Sequence, residues 1–141
     1  MSAPQQFPYV VRDRGLGNAS LAPMLPLTLI GSCELSAPAL VDSGAALNVL
    51  PFSVGTQLGL AWDQQTRTVE LSGNLAAVKA RVVVLSAIAG NFPPVRLAFA
   101  WAQTDVVPVI LGQINFFMEF DVCFFRSRGL FEIKPKQPLT A

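Results

Sequence analysis

Histidine is absent from all 141 residues. That excludes Ser-His-Asp and Cys-His nucleophilic pairs, an imidazole general base and the histidine ligands of the usual zinc hydrolase sites. Charge is also scarce. Only 13% of the residues are charged, about half the roughly 25% of an ordinary soluble domain. The net charge is +1, and the pairs Arg12/Arg14 and Arg126/Arg128 make no run, so a phosphate-tracking basic stripe, and with it a nucleic-acid partner, is not expected. Cys33 and Cys123 stand 90 residues apart, which is neither a zinc spacing nor a disulfide framework. They read as small buried hydrophobes in a reducing compartment. No clean membrane span is present either. The longest apolar stretch, Val82 to Ala102, holds Gly90, Pro93, Pro94 and Arg96. The opening MSAPQQFPYVVRDR lacks the layout of a signal peptide. A cytoplasmic protein without a membrane partner is the expectation.

What is abundant is apolar side chain, at 52%. The length fits one domain, and apolar residues exceed what its core needs, which points to a subunit interface or an apolar cleft. Residues 1–22 are rich in Pro, Gly and polar residues around one strand candidate, Phe7 to Arg12, and read as an arm or loosely ordered extension. Residues 23–141 form the domain. Pro26 to Ile30 and Pro38 to Val41 suggest strands. Phe52, Gly55 and Leu58, with Pro51 at the first helical position, suggest a short helix. Thr66 to Leu71 and Leu75 to Leu85 read as the arms of a hairpin turning at Ser72-Gly73-Asn74. Further strands are expected at Pro94 to Trp101, Val106 to Leu111, Phe120 to Phe125 and Leu130 to Lys134. Ile114, Phe117 and Met118 carry helical spacing after Gly112. About seven strands and two short helices make a small β-barrel or sandwich.

Among the nine acids, Asp42 differs in its setting. It ends the apolar run Ala39-Leu40-Val41 and precedes Ser43-Gly44-Ala45, where small residues permit a sharp turn and close approach. On these residues alone it is either a strand-ending carboxylate that caps backbone N–H groups or a functional acid held near the core. A second element bears on the choice. Val109-Ile110-Leu111-Gly112 follows about 70 residues downstream, then a short amphipathic segment, then Phe120-Asp-Val-Cys-Phe124 and Phe131-Glu-Ile133.

This order of motifs resembles the retropepsin family of aspartic proteases, over about Pro23 to Pro135. The resemblance implies an all-β fold, a small closed acid-protease barrel with one or two short helices, acting as a homodimer. It implies that Asp42 is the catalytic aspartate, with Ser43 bonding across the dimer axis, Gly44 meeting substrate backbone and Ala45 packing beneath. Ser72, Gly73 and Asn74 would be the flap tip, and Val109, Ile110, Leu111 and Gly112 would line the loop behind the aspartate. Many retroviral members carry an Asp after the motif's Ala and an Arg after Ile-Leu-Gly. Here Ala46 and Gln113 stand there, so both partners of that ion pair are missing together.

An aspartic protease needs two carboxylates sharing a proton, and this chain has one Asp-Ser-Gly. The implied activity is therefore endopeptidase hydrolysis by a water held between two Asp42 carboxylates, one from each of two copies. The partners are a peptide or protein substrate and a second chain, with no cofactor and no metal. Two alternatives remain open. One is a non-catalytic dimeric binding or assembly module on the same fold. The other is a small β-barrel around an apolar ligand, with Phe7, Phe92, Trp101, Phe116 and Phe117 as candidate lining, although such aromatics are more often plain core.

Overall fold

The computed structural model describes residues 3–138. The outer ends of both segments, residues 1–2 and 139–141, lie outside it. Twelve strands occur in chain order: β1 (Gln5–Pro8), β2 (Val10–Val11), β3 (Leu21–Ala22), β4 (Met24–Ile30), β5 (Glu34–Val41), β6 (Asn48–Leu50), β7 (Thr68–Val69), β8 (Ala80–Ala89), β9 (Val95–Ala102), β10 (Val109–Leu111), β11 (Phe120–Phe125) and β12 (Leu130–Pro135). Two short α-helices, α1 (Phe52–Gln57) and α2 (Phe116–Glu119), accompany these strands among the described residues. The main sheet runs β4-β5-β10-β6-β9-β8 and closes through a β4–β8 pairing, a six-stranded barrel with β7 hanging on β8. β1, β12 and β11 form a separate three-stranded sheet, and β2 and β3 a two-stranded ribbon.

Alternation with a period of two turns one face of each barrel strand inward. Leu25, Leu27 and Leu29 of β4 and Leu97, Phe99 and Trp101 of β9 are all at most 1% exposed. Opposite the β4 leucines stand the small residues Ala37 and Ala39 of β5 and Ala87 and Ala89 of β8. Large thus faces small, which fills a narrow barrel. Burying Trp101 alone removes about 200 Å² of mostly apolar surface, or ~5 kcal/mol gross. Its indole Nε1 donates to the Phe52 carbonyl at 3.1 Å, and its ring stacks on Phe52 at 5.5 Å. Helix α1 can lie there because Gly55 has no side chain; a Cβ would run into the Trp101 ring.

Several local expectations change. Pro51 is extended (φ −61°, ψ 152°) and precedes α1 rather than starting it. The first strand is split at Tyr9, with β1 paired to β12 and β2 to β3. The 66–85 hairpin pairs only at Thr68–Arg81 and Val69–Ala80. Residues 70–79 form an open loop with a helical turn at Gly73–Leu75, since the small run Leu75-Ala-Ala offers little cross-strand packing to extend the ladder. At α2 the buried side chain is Phe116, while Ile114 and Met118 are 54% and 61% exposed. Ile114 bridges to Leu47 before the helix begins, which puts the spacing out of phase. Cys33, in the β4–β5 turn, and Cys123, on β11, are exposed thiols rather than core. Trp101, Phe116 and Phe92 are packed core, and Phe7 and Phe117 are partly buried against it, the Phe7 ring tilted on Phe131 at 5.6 Å. No helix among the described residues is long and apolar enough to cross a membrane.

Candidate active site

The site is built where two strands run side by side in the same direction. β5 and β10 are parallel, with Ala39, Leu40 and Val41 opposite Val109, Ile110 and Leu111. β10 also pairs antiparallel with β6, so it is inserted between β5 and β6, the strands that precede and follow Asp42. The 42–47 loop must therefore cross the end of β10. The crossing is tight. A Cβ on Gly112 would stand 2.5 Å from the Leu47 carbonyl oxygen and 2.7 Å from that of Ala45, so only glycine lets the loop pass.

Backbone bonds clamp the crossing. Asp42 N–H donates to Leu111 O at 2.9 Å, Gln113 N–H to Ala45 O at 2.9 Å and Ile114 N–H to Ala46 O at 2.9 Å. Asp42 itself is half-buried. Its Oδ1 accepts from the Gly44 N–H at 3.0 Å, and its carbonyl accepts from Ala45 N–H at 3.1 Å. One carboxylate oxygen is thus fixed by the turn, which is the turn-capping role read from the sequence, and the other has no hydrogen bond among the described residues. Ser43 and Gly44 are exposed.

Asn48 was not singled out from the sequence, yet it organises the crossing. It is completely buried. Its Oδ1 accepts from Gly112 N–H at 2.8 Å, and its Nδ2 donates to Ala98 O at 2.9 Å and to Asn115 Oδ1 at 3.1 Å. Asn115 extends the network, accepting from Ala98 N–H at 2.9 Å and donating to Arg96 O at 3.1 Å. The sequence signal was a polar residue inside the apolar run Leu47-Asn48-Val49-Leu50; a buried amide survives only when its bonds are made. Gln113, which stands where many viral enzymes carry an Arg, donates from Nε2 to Ser43 O at 2.8 Å. A neutral amide here fastens the Asp-Ser-Gly loop within the chain.

A cleft of about 450 Å³ opens beside this loop. Ala45, Ala46, Leu47, Val49 and Ile110 form its floor, and Glu70, Leu71, Ser72 and Leu75 its other wall. Of the sequence-derived site residues, it brings together Ala45, Ser72 and Ile110, while Asp42, Ser43 and Gly44 lie outside its lining. Gly73 and Asn74 are exposed on the loop outside that lining, and Val109, Leu111 and Gly112 are buried behind it. A second cleft, about 660 Å³, lies within the open 70–79 loop between Thr68–Leu71 and Ala76–Arg81. The base of that loop is anchored: Arg81 Nη1 donates to Trp62 O at 2.7 Å, and its guanidinium lies 4.4 Å from the Trp62 ring. Among the described residues no three acidic or sulfur side chains gather as a metal site.

No family model matches this chain, and no curated protein matches it. Among solved structures it is similar to a retropepsin-like aspartic protease from Rickettsia conorii, with a TM-score of 0.57 and 15% sequence identity over 93% of this chain and 91% of that one. At that identity the likeness is one of fold, and the closed barrel with two short helices is the retropepsin-like fold.

Proposed function

We propose that this chain is an aspartic endopeptidase whose active unit is a homodimer. The observation that carries the reading is Asp42, held by one oxygen at the end of the parallel β5–β10 pair, at the start of the loop whose Ala45, Ala46 and Leu47 line a mostly aliphatic cleft. In this reading two Asp42 carboxylates meet across a two-fold axis and share one proton. The ionised one takes a proton from water as the oxygen attacks the peptide carbonyl. The protonated one gives its proton to the carbonyl oxygen; the carboxyl that took the water proton then passes it to the leaving nitrogen while its partner takes back a hydroxyl proton, and collapse of the tetrahedral species expels the amine and restores the pair. The carboxylate that lines the cleft itself, Glu70, is exposed on the open loop, and no side-chain hydrogen bond holds it among the described residues as the Gly44 N–H holds Asp42. The second acid is therefore assigned to another copy. The lining favours aliphatic side chains flanking the scissile bond.

The test is cleavage of a peptide library by wild type and Asp42→Asn, with molar mass measured on the same samples. The expected result is a dimer that cuts and an Asn variant that folds, dimerises and does not cut. Equal cleavage by both proteins overturns the mechanism. A wild-type dimer that binds peptides and never cuts them favours the non-catalytic module instead.

A further inference from the structure

Two segments that each carry an arginine pair, far apart in sequence, are tied together in the fold. Tyr9 N–H donates to the Gly129 carbonyl at 2.8 Å, and the Arg126 guanidinium lies 5.6 Å from the Tyr9 ring centroid. This sets the β11–β12 turn against the root of the β2–β3 ribbon. Arg12 and Arg14 continue that ribbon, and Arg128 lies 5.0 Å from the Phe125 ring in the turn. All four arginines are exposed. The only acid in residues 9–22 and 124–130 is Asp13, and its Oδ1 is engaged by the Gly15 N–H at 2.9 Å. Nearby on β12, Glu132 accepts from Gln6 Nε2 at 2.7 Å. The corner holds four of the ten basic residues and one of the nine acids, so the remainder of the chain is net negative. The molecule is electrically polarised although its net charge is +1.

The same corner is apolar. Val10, Val11, Leu16 and Phe124 are 41%, 43%, 62% and 38% exposed, half of the eight large exposed hydrophobics among the described residues. We infer that this corner docks the protein on an anionic phospholipid surface. A nucleic acid would use the arginines and leave Val10, Val11 and Leu16 in water. A peptide would call for a groove, and none of these residues lines the clefts beside the 70–79 loop or the small one on β11. A bilayer surface uses both chemistries at once, because phosphates take the guanidiniums and the acyl boundary takes the aliphatic tips. The sequence-based expectation of no membrane partner rested on the lack of a spanning stretch, whereas this contact is peripheral. Each arginine near an anionic surface is worth about a fivefold gain in partition, so four give a binding that is reversible and sensitive to salt.

The experiment is co-sedimentation of the full chain with vesicles of phosphatidylcholine plus phosphatidylserine, and with vesicles of phosphatidylcholine alone, at low and high salt. The expected result is sedimentation with the anionic vesicles only, lost at high salt. Arg12→Glu with Arg14→Glu should weaken it at least about 25-fold, as should Arg126→Glu with Arg128→Glu, while Leu16→Ser weakens it at constant salt dependence. Melting curves of the variants confirm that the fold is kept. No sedimentation, equal sedimentation with both vesicles, or sedimentation indifferent to both arginine pairs overturns the proposal. So does complete competition by inorganic phosphate or by a single-stranded oligonucleotide with no difference between wild type and Leu16→Ser, since that pattern belongs to a bare phosphate site.

Discussion

Replacing Asn48 by Ala should damage the molecule more than any exposed polar substitution. The change strips a partner from Gly112 N–H, Ala98 C=O and Asn115 Oδ1, in a position with no exposure to water. An unmade buried bond costs about 1–3 kcal/mol. Asn115 Oδ1 keeps the Ala98 N–H, so the loss falls mainly on the Gly112 donor and the Ala98 acceptor, ~3–4 kcal/mol together. For a domain of this size about 2–4 °C of melting temperature goes with each kcal/mol, a fall of roughly 10 °C. The assay is urea unfolding with fitted midpoint and slope, beside Gln113→Ala as a control. Gln113 is exposed and makes one side-chain bond to Ser43 O, so its loss should cost about 0.5–1.5 kcal/mol. Equal destabilisation by the two variants, or an Asn48→Ala protein within about 1 kcal/mol of wild type, would refute the account of Asn48 as the clamp of the crossing.

Gly112→Ala should leave little or no correctly folded protein, because its Cβ meets two backbone carbonyls that cannot rotate away; a wild-type melting curve would contradict this. Gly55→Ala should destabilise by about 2–4 kcal/mol by forcing α1 off Trp101, read as a blue or red shift of Trp fluorescence together with a lower urea midpoint. If the proposed function holds, activity per chain should fall on dilution below the dimer dissociation constant; a flat value in a demonstrably monomeric sample would count against it. On the same proposal, Arg81→Met should raise KM for peptides several-fold with kcat less affected, by freeing the base of the 70–79 loop from Trp62, and an unchanged KM would show that this anchor does not bear on substrate.

Much of the barrel was legible because its strands alternate cleanly. Leu97, Phe99 and Trp101 fall on one face of β9 as the spacing says. The end of β5 at Asp42 was legible from its flanking small residues. Three kinds of information were not. The Ile114-Phe117-Met118 spacing looked helical, but the first of these residues belongs to a β-bridge, and periodicity cannot tell where a helix starts. The 70–79 loop carries a Ser-Gly-Asn turn signal, yet its flanks pack too little to pair. The Asn48–Asn115 network joins residues that are uninformative one at a time, because a buried amide is recognised only by the partners that satisfy it. The arginine corner escaped for the same reason, since Tyr9 is what unites its halves.

The crossing of the Asp42 loop over β10 also sets an order of events. The side-chain bonds that hold it span 64 residues between Gly112 and Asn48, 67 between Asn48 and Asn115, and 70 between Gln113 and Ser43. Closing loops of that length is slow and yields no gain until both ends are present. A chain still being synthesised can pair β4 with β5, which a three-residue turn joins, long before residue 115 exists. Asp42 is then a carboxylate on an unmoored hairpin end. Its final geometry arrives only after most of the polypeptide has been made, so the fold leaves the proposed catalytic position unassembled through the period when nascent chains are crowded and exposed.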